Sequence, residues 1–383
     1  MALHFSESEL AARRNRVCAL MKRDGLDGML IFRQESMYYL TGYDTFGYVF
    51  FQCLYLSADG AMTLLTRSAD RLQANLTSVI EDVRIWVDGP TASPASELKD
   101  ILHEHGARGQ RLGVEWEAYG LTARNGQRLS TALDGFCALE DASELISTIR
   151  VIKSPAEIEY ARRAGELTDD AYAAAVDLTA PGAFEGEILG AMQGAIFDGG
   201  GDYSGNEFII GSGENALLCR YATGRRTLDD QDQLTLEWAG VYRHYHTAMM
   251  RTFIVGKPDP RHISMHAAAF DALEAVKESV SPGKTFGDAF QAHCRVLDGA
   301  GMATSRLNAC GYSLGTTFAP NWMDWPMLYA DNPVVFEPGM VIFCHMIIFD
   351  ADAGLAATLG ETVLVTPSGH ERLSNAPLSL VVK

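Results

Sequence analysis

The chain has 383 residues, 47% of them apolar and 21% charged, with 49 acidic side chains against 31 basic ones and a formal charge of −18. That length exceeds what one ordinary core supports and points to two domains, while the composition excludes a disordered or fibrous protein. The acidic balance is relieved by no basic cluster beyond adjacent pairs such as Arg13 with Arg14, Arg162 with Arg163 and Arg225 with Arg226, so no nucleic acid and no membrane is expected as a partner, and a small soluble substrate is.

Residues 6–23 place Leu10, Val17, Leu20 and Met21 at helical spacing, ahead of a short apolar strand at 28–32. Strand-like runs follow at 48–56, 62–66, 84–87 and 112–114, with a helix at 95–105, which makes residues 1–146 an α/β domain. It has no GxGxxG and is not assigned a dinucleotide. At 154–157, Ser154, Pro155 and Glu157 spell a capping box with proline in the first turn, opening a long helix to about residue 179. A second helix is expected at 185–196. Strands are expected at 207–210, 233–237 and 245–255, helices at 266–280 and 287–299, and strands at 341–349 and 362–365. Helices grouped between sets of strands make residues 147–383 an α+β domain rather than a doubly wound one. Seven cysteines without paired spacing, no apolar leader and no run of 18 apolar residues predict a reduced, cytoplasmic protein.

Three segments carry a resemblance. Arg150 opens an R-x-I-K-S-x-x-E pattern ending at Glu157; residues 234–253 read LTLEWAGVYRHYHTAMMRTF; and GYSLG at 311–315 is followed by EPGM at 337–340 and GET at 360–362. In this order and spacing they resemble the creatinase/prolidase/methionine aminopeptidase family, and they cover most of the last 230 residues or so. The resemblance implies a C-terminal pita-bread domain at 147–383 behind a smaller creatinase-like N-terminal domain. It also implies a homodimer in which residues near Tyr43 and Tyr48 reach the partner's cleft. Metal-dependent members hold two ions with two Asp, one His and two Glu. Carried over residue by residue, those positions are Glu237, Ala248, Tyr312, His345 and Glu361. Ala248 cannot bridge ions, so the two-metal peptidase is disfavoured; one divalent ion on Glu237, His345 and Glu361 is chemically allowed. The set is similar to the metal-independent branch that includes creatinase and ectoine hydrolase. It implies no cofactor and hydrolysis of a C–N bond in a small polar or zwitterionic metabolite. An Xaa-Pro dipeptidase, a lyase and a silent ligand-binding relative are the alternatives.

Glu237 follows an apolar run, so its charge needs a reason: a nucleophile or base paired with Glu361, or else an ion pair with Arg251 or Arg220. Arg243 and Tyr245 are expected on one strand face and His244 and His246 on the other, with His246 either shuttling protons or hydrogen-bonded structurally. Tyr312 can donate to an oxyanion or fill the vacated ligand position. Arg220 can hold a substrate carboxylate or neutralise Glu237. Trp322, Asp324 and Trp325 are expected in one loop whose π faces and carboxylate suit a cationic ligand, or which is ordinary packing. His345 is either a substrate contact or a core histidine.

Overall fold

In the computed structural model, which describes residues 3–220 and 224–383, the chain divides into two units between Arg150 and Val151. The first unit is a six-stranded sheet in the order β4-β3-β2-β1-β5-β6, built from β1 (Gly28–Ile31), β2 (Cys53–Ser57), β3 (Met62–Arg67), β4 (Val83–Trp86), β5 (Arg111–Val114) and β6 (Ala138–Asp141). Its helices are α1 (Glu7–Asp24), α2 (Gln34–Thr41), α3 (Arg71–Thr77), α4 (Pro94–Glu104), α5 (Ala123–Leu133) and α6 (Ser147–Arg150). Ser6 caps α1 and Gly25, at φ 71°, closes it in the left-handed conformation glycine adopts freely. The strand expected at 48–56 begins only at Cys53. Thr45 Oγ1 accepts from the Gly47 N–H at 2.9 Å and donates to Asp70 at 2.7 Å, which pins residues 47–49 into a 3₁₀ turn.

The second unit opens with α7 (Pro155–Leu178), in which both arms of the Ser154/Glu157 capping box are formed, and continues with α8 (Glu185–Asp198). Strands β7 (Ile209–Ser212), β8 (Asp232–Tyr242) and β9 (Tyr245–Val255) precede helices α9 (Pro260–Ser279) and α10 (Phe286–Gly299). Then come β10 (Ala309–Ser313), β11 (Asp324–Tyr329), β12 (Val341–Asp350), β13 (Leu355–Thr366), β14 (Gly369–Arg372) and β15 (Val381–Val382). Helix α9 starts six residues earlier than its apolar pattern suggests, because Asp259 caps it and Pro260 takes the first helical position. The main path of the sheet runs β11-β10-β12-β13-β9-β8-β7. Arg243 and His244 are not strand residues: with φ of 50° and 65° they form the two-residue turn between β8 and β9.

One face of this sheet is packed by α7, α9 and α10. Gly240 in β8 marks how closely: a Cβ there would lie 2.1 Å from the carbonyl oxygen of Ala164 in α7. Trp238, on the same face, donates from Nε1 to the Thr168 carbonyl of α7 at 3.1 Å. Among the described residues no helix is long and apolar enough to cross a membrane.

Candidate active site

Side chains directly opposite one another in paired antiparallel strands share a face. Glu237 in β8 faces Met250 in β9, Met250 faces Gly360 in β13, and Gly360 faces His345 in β12. Two residues from His345 is Phe343, opposite Tyr312 of β10. Glu237, Ala248, Met250, Gly360, His345, Phe343 and Tyr312 therefore lie on the face turned away from the helices, and this is the row on which the site is built.

Glu237 is 8% exposed. Burial pushes its carboxyl up to about 7, against the opposing pull of the Arg220 charge and of a hydrogen bond from Tyr312. The Tyr312 hydroxyl accepts from Trp322 Nε1 at 2.8 Å, which leaves its own proton for Glu237. Burial and the adjacent Glu237 hold the phenol well above its ordinary value, so it stays a donor. The Trp322 indole is completely buried. Its π face is thus not offered to a ligand; it acts on the site by orienting Tyr312. His345 is also 8% exposed, and its Nδ1 has no hydrogen-bond partner among the described residues. Burial depresses this imidazole to about 3, so it is neutral, and its ring lies 5.5 Å from that of Tyr312.

His246 is fully buried on β9, with both ring nitrogens engaged. Nε2 accepts from the Gly205 N–H at 2.9 Å, while Nδ1 lies 2.9 Å from the His244 carbonyl and 3.2 Å from Thr317 Oγ1. An acceptor role at Nε2 fixes the proton on Nδ1, and burial, with His244 adding to it, lowers the ring to about 4. This is the structural alternative: His246 docks the 201–206 segment. Asn206 continues that docking by accepting from the Trp322 N–H at 3.0 Å. Nothing in the sequence singles out Gly205 and Asn206, because backbone and amide contacts leave no pattern there. Asp324 and Trp325 are not in a loop with Trp322 but begin β11, and Trp325, partly buried, packs against the core beneath the helices. The two tryptophans therefore do not frame one ligand. Arg220 is exposed, on the segment between β7 and β8, and its charge is felt by Glu237, Tyr312 and His345.

Glu361 departs furthest from its expected place beside Glu237. In β13 it is Gly360 that faces Met250, so Glu361 points to the opposite, helix-packed face, alongside Cys344. It is completely buried there, with Lys277 of α9 3.1 Å from Oε2 and Arg372 Nε donating to Oε1 at 2.6 Å. Both oxygens are committed to cations. Glu237 and Glu361 form no carboxylate pair, and Glu361 cannot join Glu237 and His345 around an ion. Nor does Glu237 pair with Arg251, whose guanidinium binds the carbonyls of Met250, Gly360 and Pro377 instead.

The donor set on the site face can now be tested against a two-metal centre. Of the row's members, one carboxylate and one imidazole could ligate; Ala248, Met250 and Gly360 could not, and the Tyr312 hydroxyl is already bonded to Trp322. A Cβ at Gly360 would lie 2.8 Å from the Phe343 ring and 2.9 Å from Met250 Cβ, so apolar groups occupy the space a ligand at that position would enter. Among the described residues no three His, Cys, Asp or Glu side chains converge to hold an ion. These residues do not fit two oxygen-bridged cations.

The sequence model of metallopeptidase family M24 matches residues 159–367, and that of the creatinase/prolidase N-terminal domain matches residues 13–152. An uncharacterized hydrolase/peptidase of Sinorhizobium fredii is 30% identical, over 100% of this chain and 99% of its own length. Ectoine hydrolase of Halomonas elongata is 28% identical over the same shares of the two chains. Among solved structures, a prolidase from Thermococcus sibiricus superposes with a TM-score of 0.89 at 20% identity, covering 99% of this chain and 100% of that one. A dipeptidase from Pyrococcus horikoshii gives 0.85 at 24%, covering 97% and 100%. At these identities the structures speak for the pita-bread fold.

Proposed function

We propose a function for this chain starting from its family: it belongs to metallopeptidase family M24, with a creatinase/prolidase N-terminal domain, and we read it as a metal-independent hydrolase that opens a C–N bond in a small polar or zwitterionic metabolite. The observation that carries this reading is Glu237, the one carboxylate in the site-face row, buried, pushed up to about 7 and hydrogen-bonded by a phenol that keeps its proton. A carboxyl titrating near 7 is suited to general acid–base work at neutral pH. Ectoine hydrolase, related along the full length, supports a C–N bond outside a peptide as the target.

In this reading Glu237 takes a proton from water as the water oxygen bonds to an amidine or amide carbon. The Tyr312 hydroxyl, oriented by Trp322, faces the charge that develops there. Glu237 then returns the proton to the departing nitrogen as the C–N bond breaks, so the carboxylate is regenerated. His345 offers a neutral imidazole to the substrate's polar edge, and Arg220 a cation to its carboxylate. The test is a panel of guanidino, amidine and cyclic amino-acid metabolites, ectoine included, incubated with the purified protein and followed by mass spectrometry. From at least one compound, either a ring-opened product heavier by one water or two fragments whose masses sum to the substrate plus one water is expected, with no cleavage of Xaa-Pro dipeptides. Cleavage of the dipeptides alone would restore the peptidase reading, and no product from any compound would leave a ligand-binding relative.

A further inference from the structure

Helix α8 begins with a carboxylate that this chemistry does not use. Glu185 is completely buried. Its Oε1 accepts from the Ser212 N–H at 2.8 Å and from the Ser212 hydroxyl at 2.6 Å, and its Oε2 accepts from the N–H groups of Arg225 at 2.9 Å and Arg226 at 3.0 Å. A carboxylate withdrawn from water and given four donors is an expensive arrangement for a helix start that a serine would cap. Its partners show what it does. Ser212 ends β7, three residues beyond Ile209, which sits opposite Glu237. Arg225 and Arg226 bring the chain back toward β8. One side chain thus holds the chain both where it leaves β7 at Ser212 and where it comes back at Arg225 and Arg226, and Arg220 is on the segment between these two points in the sequence.

The grip is close-fitting. A Cβ on Gly224 would lie 2.8 Å from the Glu185 carbonyl carbon and from the Gly186 nitrogen, so the returning strand lies directly against the start of α8. Arg226 Nη1 reaches across to Ser212 Oγ at 2.8 Å, joining the two ends directly, and the Glu185 N–H donates to the Arg226 carbonyl at 2.9 Å. We propose that Glu185 is a positioning residue for the reaction: by tying Ser212 on one side and Arg225 and Arg226 on the other to the start of α8, it holds the Arg220 guanidinium where it can meet the substrate beside Glu237 and Tyr312. This rests on the hydrolase reading above. The rival is a purely structural anchor for α8, which would lower stability without touching substrate binding.

Wild type, Glu185→Gln, Arg220→Ala and the double variant are compared by steady-state kinetics on the substrate the panel identifies, and by hydrogen exchange. Glutamine keeps one acceptor and loses the other, so one end of the segment is released. Faster exchange at 213–220 and 224–226 is expected, with KM raised about tenfold and kcat changed less than about threefold. Arg220→Ala should raise KM similarly, and the double variant should be no worse than Arg220→Ala alone, since residues that act through one another are not additive. Unchanged exchange, an unchanged KM, or effects that multiply in the double variant would overturn the proposal. Should Glu185→Gln fail to fold, Ser212→Ala removes a single bond to the carboxylate and is expected to raise KM to a smaller degree; an unchanged KM there overturns it too. Failure of the hydrolase reading is seen separately, as absence of turnover by the wild type.

Discussion

The two faces of the β8-β9-β13-β12 sheet each bury a glutamate, and the sheet treats the two oppositely. On the helix-packed face Glu361 has both oxygens bound to cations, Lys277 and Arg372. On the other face Glu237 has one phenol and a more distant guanidinium, and burial pushes it up to about 7. The first is a charge neutralised by its surroundings; the second is a charge kept in tension with them. Burial alone therefore does not mark a reacting carboxylate. Strand parity and the identity of the partner do.

Substitution at Glu237 should separate the faces most widely. Glu237→Gln is expected to lower kcat about 10²- to 10⁴-fold, the range for a lost general acid–base group, with an unfolding midpoint no lower than wild type, since a desolvated acid is removed. Denaturant unfolding and initial rates on the same preparation check both halves. Glu361→Gln should do the reverse. It leaves the 4%-exposed Lys277 with only the partly exposed Glu274 as a counter-charge, so a loss of about 3 kcal/mol in chemical denaturation is expected, while kcat per folded molecule stays within a few-fold.

Proton linkage sharpens the contrast. An acid held at about 7 when folded, against an ordinary 4.5, keeps a proton that the unfolded chain has released between those values. Stability contributed by Glu237 is therefore lost as pH rises from about 4.5 to 7, by on the order of 3 kcal/mol, and is flat outside that window. Glu115 of the first unit is also pushed up to about 7 by burial and adds its own slope, so the Glu237 contribution is read as the difference in unfolding free energy between wild type and Glu237→Gln, which should change across that range and be flat outside it. The smallest effect on stability is expected at Tyr312. Tyr312→Phe strands the buried Trp322 N–H and costs about 1–2 kcal/mol. It also removes a bond that favours the ionised Glu237, so the acid limb of the pH–rate profile should move upward.

Much of this architecture was legible in the sequence. The capping box at Ser154 and Glu157 placed α7 correctly, and the resemblance carried by residues 234–253 located the hairpin that holds Glu237. What failed was parity at 360–361. β13 is buried on both faces along almost its whole length, so apolar and polar residues do not alternate and a one-residue slip leaves no signal. The counter-cations of Glu361 come from α9 and β14, distant in sequence, and could not have corrected it. The same limit hid the fate of Trp322 and Trp325: three residues apart in one aromatic run, they enter different cores. In the first unit the fully buried Glu115, which accepts from the Phe32 and Arg33 N–H groups and from Ser36, went unnoticed because its partners are mostly backbone.

We propose that this face works through Glu237 and not through metal. The direct test is turnover after dialysis against a strong chelator, with metal content of the same sample measured by elemental analysis. Undiminished kcat and KM are expected in protein holding far less than one Mn, Co, Zn or Fe per chain. Activity that disappears on dialysis and returns only when one of these ions is added back would contradict it.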